Sequence, residues 1–240
     1  MKLYLLRLGM IQSIQAPMPG YLIQTDGGMN ILIDTGYPRS GIGVYKGTPQ
    51  APAKMDEQDY VVNQLASLGL TPPDIQYVIC THFDIDHAGN YDVFPDATFV
   101  VQRSHYEIAR QGSLERLNQA RSSWDAPGLR YQFIDGDQEF LPGIELLETS
   151  GHVPGHQSVL VHLPQTGPVL LAIDAIPMTK YLKIVPEQRQ ASPVDHDEAG
   201  LRVSTRKLVD LIHQQQIALV ICGHDAEQWQ QLKRLPDYYA

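Results

Sequence analysis

The chain has 240 residues, 43% hydrophobic and 19% charged, a balance that excludes a disordered chain and allows a core that needs no disulfide staples. Its 18 basic and 27 acidic residues leave a formal charge of -9, which excludes the nucleic-acid backbone as a partner because such binding needs a basic surface. No run reaches the roughly 18 apolar residues of a membrane span, and Met1 to Arg7 lacks the long apolar segment of a signal peptide, so a cytoplasmic protein is expected.

Met1 to Arg7 reads as a first strand. Tyr21 to Thr25 and Asn30 to Asp34 flank Asp26-Gly27-Gly28 and predict a hairpin. A loop rich in glycine and proline follows from Gly36 to Met55; long loops inside compact domains tend to be functional. Val61, Val62, Leu65 and Leu68 share one face of a helix predicted from Glu57 to Leu68, with Gly69 as its C-cap. Strands are predicted at Ile75 to Cys80 and Thr98 to Val101, and helices at Ser104 to Gln111 and Leu114 to Ser123. The second half predicts strands at Tyr131 to Ile134, Ile144 to Glu148, Ser158 to His162 and Val169 to Ile173. A long helix, Asp197 to Gln214, precedes a last buried strand, Ala218 to Cys222. Cys80 and Cys222 each end an apolar run and read as buried thiols. No repeat or linker divides residues 1–240, so one domain is expected, an α/β fold of two stacked sheets with helices outside.

The chemistry concentrates in His82-Phe83-Asp84-Ile85-Asp86-His87-Ala88-Gly89-Asn90. Four potential metal ligands fall within six residues, directly after a strand, where a loop can aim several side chains at one point. Imidazole with carboxylate suits zinc, iron, manganese or cobalt. Three further positions sit in the same way behind apolar strands: His152 in Gly151-His152-Val153-Pro154-Gly155-His156, Asp174 after Val169 to Ile173, and His224 after Ala218 to Gly223. Strand ends on one edge of a sandwich converge, and seven such ligands fill two metal sites with one carboxylate shared. His105, His162, His196 and His213 have no motif around them and read as ordinary surface or core residues.

From Asp34-Thr35-Gly36 to Gly223-His224-Asp225, the sequence resembles the metallo-β-lactamase superfamily. The entry strands from Gly20 to Asp34, the segment Gly151 to Gln157, and the tail Gly223 to Gln228 with Pro236-Asp237-Tyr238-Tyr239 are most similar to its N-acyl homoserine lactonase branch. The resemblance implies a four-layer αβ/βα sandwich and a quorum-quenching hydrolase that opens a lactone with a metal-bridging hydroxide. It implies two divalent ions, zinc first, with iron, manganese or cobalt as alternatives. His82, Asp84 and His152 would hold one ion, Asp86, His87 and His224 the other, and Asp174 would bridge them. Asp86 would also shuttle the proton to the leaving group. His156 would support the ligands through the Pro154-Gly155 turn. The implied partner is a small-molecule substrate, with the chain a monomer or homodimer.

The sequence departs from the lactonase pattern twice. Asp84 stands where the family usually has His, which makes the first site more anionic and is shared in kind with diiron proteins that carry Glu there. Pro177 stands where the family has a carbonyl-polarising Tyr, and Tyr181, four residues on, is the expected substitute. The Gly36 to Met55 loop and the Ser104 to Ser123 region are expected to wall an acyl-chain pocket, with Tyr37, Tyr45 and Tyr106 as apolar faces. Other ester, thioester or phosphodiester hydrolysis, a diiron redox activity, and a non-catalytic metal-binding role are the competing readings.

Overall fold

A computed structural model describes residues 1–41 and 53–240. Most of the loop expected from Gly36 to Met55, Tyr45 included, lies outside the described residues. The strands are β1 (Lys2–Ile11), β2 (Ala16–Gln24), β3 (Asn30–Ile33), β4 (Ala53–Lys54), β5 (Tyr77–Ile79), β6 (Thr98–Gln102), β7 (Arg130–Ile134), β8 (Gln138–Leu141), β9 (Ile144–Glu148), β10 (Gln157–Leu163), β11 (Gly167–Ile173), β12 (Leu219–Cys222) and β13 (Tyr238–Tyr239). One sheet runs β13-β1-β2-β3-β5-β6-β7, with β4 also on β1, and the other runs β12-β11-β10-β9-β8. β3, β5, β6 and β7 are mutually parallel, as are β11 and β12.

The period of two along each strand builds the layers. Ile31 and Ile33 of β3 face the space between the sheets with Val169, Leu171 and Ile173 of β11. Leu32 faces the opposite side, into a cluster with Val78, Phe99, Val61, Leu65, Ala109 and Trp124. Leu170 and Ala172 likewise face outward from the second sheet, against Leu208. Each such fully buried aliphatic side chain contributes roughly 1.5–3 kcal/mol. The helices that cover the first sheet include α1 (Val61–Ala66), α3 (Arg103–Gln111), α4 (Glu115–Asn118) and α5 (Arg121–Trp124), while α6 (Glu198–Gln214) covers the second. Two short helices, α2 (Ile85–Ala88) and α7 (Ala226–Gln231), follow β5 and β12. The result is the expected four-layer sandwich. Among the described residues no helix is long and apolar enough to cross a membrane.

Where the elements differ from expectation, the causes are local. β2 begins at Ala16 despite Pro17 and Pro19, because β3 pairs only with Tyr21 to Gln24. The two prolines therefore face one neighbour, β1, which is itself irregular between Arg7 and Met10. β8 is a half-exposed polar edge strand paired only to β9 and carries no apolar alternation. The helix expected from Glu57 breaks at Tyr60, which is extended at φ -62 and ψ 128. The preceding turn is held instead by buried Asp59, which pairs with Arg7 of β1 at 2.8 Å and accepts from the Asp56 amide. The Leu114 to Ser123 helix is two short helices, α4 and α5. The long helix is as expected, with Asp197 as N-cap accepting from the Ala199 and Gly200 amides. Both cysteines are free and buried.

Candidate metal centre

Parallel strands deliver their C-terminal ends to one edge, and the polar side chains sit on the residues that follow. Asp34 follows β3, His82 to His87 follow β5, Asp174 follows β11 and His224 follows β12. His152 comes from the turn between β9 and β10. The backbone is bent sharply here: Asp34 and Ile173 have φ of 58 and 52. A β-branched residue in the left-handed region costs of the order of 1–3 kcal/mol. Ile173 is held there by its burial between the sheets, and the bend turns Asp174 toward the histidines. Gly223 is required beside it, since a Cβ there would lie 2.6 Å from both Asp174 Oδ1 and the Ile173 carbonyl oxygen.

The convergence produces two triads. His82, His152 and Asp174 offer ligand atoms within 4.8 Å of one another, as do Asp86, His87 and His224. Asp174 faces both. Its Oδ2 lies 3.3 Å from His152 Nε2, 3.8 Å from His82 Nε2 and 3.7 Å from His87 Nε2, while Oδ1 is 3.1 Å from His224 Nε2. The His82 and His87 rings are 4.0 Å apart between centroids.

All four imidazoles are anchored in the same sense. The Nδ1 atoms of His87 and His152 lie 2.8 Å from Asp34 Oδ2 and Asp195 Oδ1. His224 Nδ1 lies 2.9 Å from the Pro17 carbonyl oxygen. His82 Nδ1 lies 3.0 Å from Thr81 Oγ1, whose proton goes to Asp34 Oδ2 at 2.6 Å. Each partner accepts, so each Nδ1 donates and each Nε2 presents its lone pair inward. Such lone pairs, buried and aimed at carboxylates, fit a cation. His82 Nε2, His87 Nε2 and Asp174 Oδ1 are buried with no hydrogen-bond partner among the described residues, a costly arrangement unless an ion completes it.

The electrostatics agree. Burial opposes charge on His87, but Asp86, Asp34 and Asp174 overcome it and push the imidazole up to about 10. His82 moves the other way, held well below the usual imidazole range by its burial and by the neighbouring His87. Burial also opposes charge on Asp174 and Asp84. Both nevertheless stay well below the usual carboxylate range, Asp174 through His224, His87 and His152, and Asp84 through His152, His82 and the Arg116 charge.

Asp84, expected in the first ligand set, is buried against both of that set's histidines. Its Oδ2 lies 3.3 Å from His82 Nε2 and 3.2 Å from His152 Nε2, and both its oxygens accept from Arg116 of α4. Asp86 is the most open ligand carboxylate, 20% exposed against 7% for Asp84 and 8% for Asp174. His156 lies behind the ligands. Its Nε2 accepts from the Asp174 amide at 3.3 Å and its Nδ1 donates to Thr149 Oγ1 at 2.9 Å, and burial pushes it down to about 3, keeping the ring neutral.

Tyr181 is the expected substitute for the tyrosine that Pro177 displaces. Its ring packs at the cluster of Leu170, Ala172 and Leu208 on the outer face of the second sheet, with the buried Arg189 guanidinium 3.6 Å from its centroid. These contacts give no support to a carbonyl-polarising role. Tyr37 and Tyr106 pack with the cluster beneath the first helix layer.

Several residues that shape the site were not singled out from the sequence. Asp34 and Asp195 fix imidazoles, and Arg116 engages Asp84. His105, read as ordinary, is a brace: its Nε2 accepts from the Phe83 amide at 2.9 Å and its Nδ1 donates to the Pro154 carbonyl at 2.6 Å. It ties the His82 to His87 segment to the His152 turn. A carboxylate in the Asp34-Thr35-Gly36 turn was the one visible signal.

Residues 20–224 match the metallo-beta-lactamase superfamily. An N-acyl homoserine lactonase from a Bacillus species is 38% identical over 94% of this chain and 88% of its own length. The N-acyl homoserine lactonase AttM of Rhizobium radiobacter is 34% identical over 78% of this chain and 72% of its own. Among solved structures, an N-acyl homoserine lactone hydrolase with the product N-hexanoyl-L-homoserine at its catalytic metal centre superposes with a TM-score of 0.86. It is 32% identical and is matched over 99% of this chain and 98% of its own. Family and neighbours imply divalent metal ions, and the donor set described above fits them. The chain belongs to the metallo-beta-lactamase superfamily and, within it, to the N-acyl homoserine lactonase family.

Proposed function

We propose that this protein hydrolyses the ester bond of N-acyl homoserine lactones, a quorum-quenching activity, with two divalent cations. Zinc is the first choice of metal, and iron, manganese and cobalt suit the same donors. The observation that carries the reading is the set of four imidazoles, each anchored through Nδ1, that aim Nε2 at the space shared with Asp84, Asp86 and Asp174. In this reading His82, Asp84 and His152 hold one ion and Asp86, His87 and His224 the other, with Asp174 between them. The relatives named above support the choice of substrate class.

Cations so held supply Lewis acidity toward the carbonyl and leaving oxygens and acidify a water at neutral pH. The protein's own groups do the rest. The buried network behind the histidines holds the ligand geometry. Asp86, the most open ligand carboxylate, takes the proton from the attacking water and gives it to the departing ring oxygen. The lactone carbonyl carbon gains a hydroxyl and the ring oxygen a proton, so one water is consumed, and the carboxylic acid formed releases its proton to solvent to leave a free carboxylate. A neutral lactone meets no repulsion from a chain of charge -9. The enzyme is further proposed to act in the cytoplasm, as a monomer or homodimer, on a small-molecule substrate alone.

Elemental analysis joined to a panel of acyl homoserine lactones tests this. Two equivalents of metal with ring opening is the expected result. Two equivalents of iron with no ring opening would overturn it in favour of redox chemistry.

A further inference from the structure

Arg116 reaches the first triad, and the proposed reaction does not use it. Its Nε donates to Asp84 Oδ1 at 2.7 Å, its Nη2 donates to Asp84 Oδ2, and its Nη1 donates to the Val194 carbonyl. Nη2 also lies 3.1 Å from His152 Nε2, whose partner nitrogen gives its proton to Asp195. Asp84 Oδ2 is the oxygen turned toward both His82 and His152. One guanidinium nitrogen therefore rests on two donor atoms that a first-site cation would need. Among the described residues no lysine or arginine is paired with Asp86, His87 or His224; their ion pairs are with carboxylates and histidines.

We propose that Arg116 is a built-in competitor for the cation of the first site, so that the two metal sites fill in order, the Asp86, His87 and His224 site before the other. A guanidinium nitrogen and a divalent ion about 3 Å apart on one carboxylate oxygen repel each other strongly, and the two arrangements exclude one another. Nη2 leaves Asp84 Oδ2 and His152 Nε2 when the first-site cation binds. The guanidinium is a rigid plane, so Nε shifts on Asp84 Oδ1 along with it, and the Nη1 bond to the Val194 carbonyl remains as the pivot. The first site is thereby the weaker one, and its occupancy follows metal supply. A prop that merely oriented Asp84 for the metal would act with the opposite sign, since its loss would weaken the first site.

The inference rests on the two-cation reading, and the test separates the two. Protein stripped by chelator is titrated with zinc by calorimetry, as wild type, Arg116→Met and Arg116→Lys. Wild type is expected to show a tight and a weak class. Arg116→Met should tighten the weak class by about 10–100-fold, the range over which groups behind metal ligands act, and leave the tight class unchanged. Arg116→Lys, a point charge without the planar fork, should fall between. A weak class that is unchanged or weaker in Arg116→Met overturns the competitor and leaves the two-cation reading standing; failure of wild type to take up two cations overturns both. Should Arg116→Met not fold, wild type decides through the ¹⁵N resonance of Arg116 Nε, identified by its loss in Arg116→Lys. It should hold still through the first equivalent of zinc and move with the second. Movement at the first equivalent, or none by two, overturns the proposal.

Discussion

Asp34→Asn is the sharpest probe of the network behind the ligands, because it changes one buried group without changing its shape. Asp34 is fully buried and accepts three hydrogen bonds, from the Thr81 amide at 2.9 Å, the Thr81 hydroxyl at 2.6 Å and His87 Nδ1 at 2.8 Å. An asparagine offers one acceptor and one donor to the same three partners. With its amide nitrogen at the Oδ1 place it meets the Thr81 N–H, donor against donor. With the nitrogen at the Oδ2 place it faces His87 Nδ1, and the ring must move its proton to Nε2, the atom that points at Asp86 and Asp174. Hydrogen bonds to a charged acceptor are worth about 1.5–3 kcal/mol each. Relief of one buried charge offsets part of the loss, so the net destabilisation expected is about 2–4 kcal/mol. The displaced proton should weaken metal at the Asp86, His87 and His224 triad by about 10–100-fold. Denaturant midpoints and zinc content after dialysis against buffered zinc measure the two effects separately. If Asp34 acts through His87, combining Asp34→Asn with His87→Gln should weaken zinc no further than His87→Gln alone. Retention of zinc at the Asp86, His87 and His224 triad with wild-type affinity in Asp34→Asn would refute the tautomer argument.

Tyr181→Phe should leave kcat/KM within about twofold of wild type, because the ring packs under Arg189 on the outer face of the second sheet; a tenfold loss would restore Tyr181 to the reaction. Gly223→Ala would set a methyl 2.6 Å from Asp174 Oδ1. It should cost about 1–3 kcal/mol and lower metal content, and a fully loaded, equally stable variant would count against the close approach. His105 is buried and held down to about 4, below its unfolded value near 6.5. Between those values the unfolded chain binds the extra proton, so this residue's contribution is complete above about pH 6.5 and is lost as pH falls, on the order of 2 kcal/mol by pH 5. Denaturation at pH 7 and pH 5 should therefore show a smaller gap between wild type and His105→Gln at the lower pH, and a constant gap would refute it.

What could be read from the sequence, and what could not, divides along the range of the interaction. The proposed ligands were legible because each follows an apolar strand directly, so a local pattern marked the edge to which all of them come. Four fall within six residues, and the turn around His152 announces itself through Gly151, Pro154 and Gly155. The groups behind the ligands have no such mark. Asp34 meets His87 across 53 positions, Asp195 meets His152 across 43 and Arg116 meets Asp84 across 32. Asp34 at least sits in the Asp34-Thr35-Gly36 turn, but Asp195 and Arg116 are each one charged residue in an unremarkable stretch, and all three contacts are visible only once the sheets have paired. The fold shows the same division. The apolar runs of β3, β5 and β11 were readable because both faces of those strands are buried in apolar layers. β8 at a polar edge and the proline-bearing start of β2 were not, since their pairing is imposed by β9 and β1 and not by their own composition. The departure at Asp84 shows why this matters for chemistry. As a sequence feature it reads as a more anionic first site. With Arg116 across both its oxygens, the same residue becomes half of a neutral pair, and the charge that a first-site cation meets depends on whether that guanidinium stays.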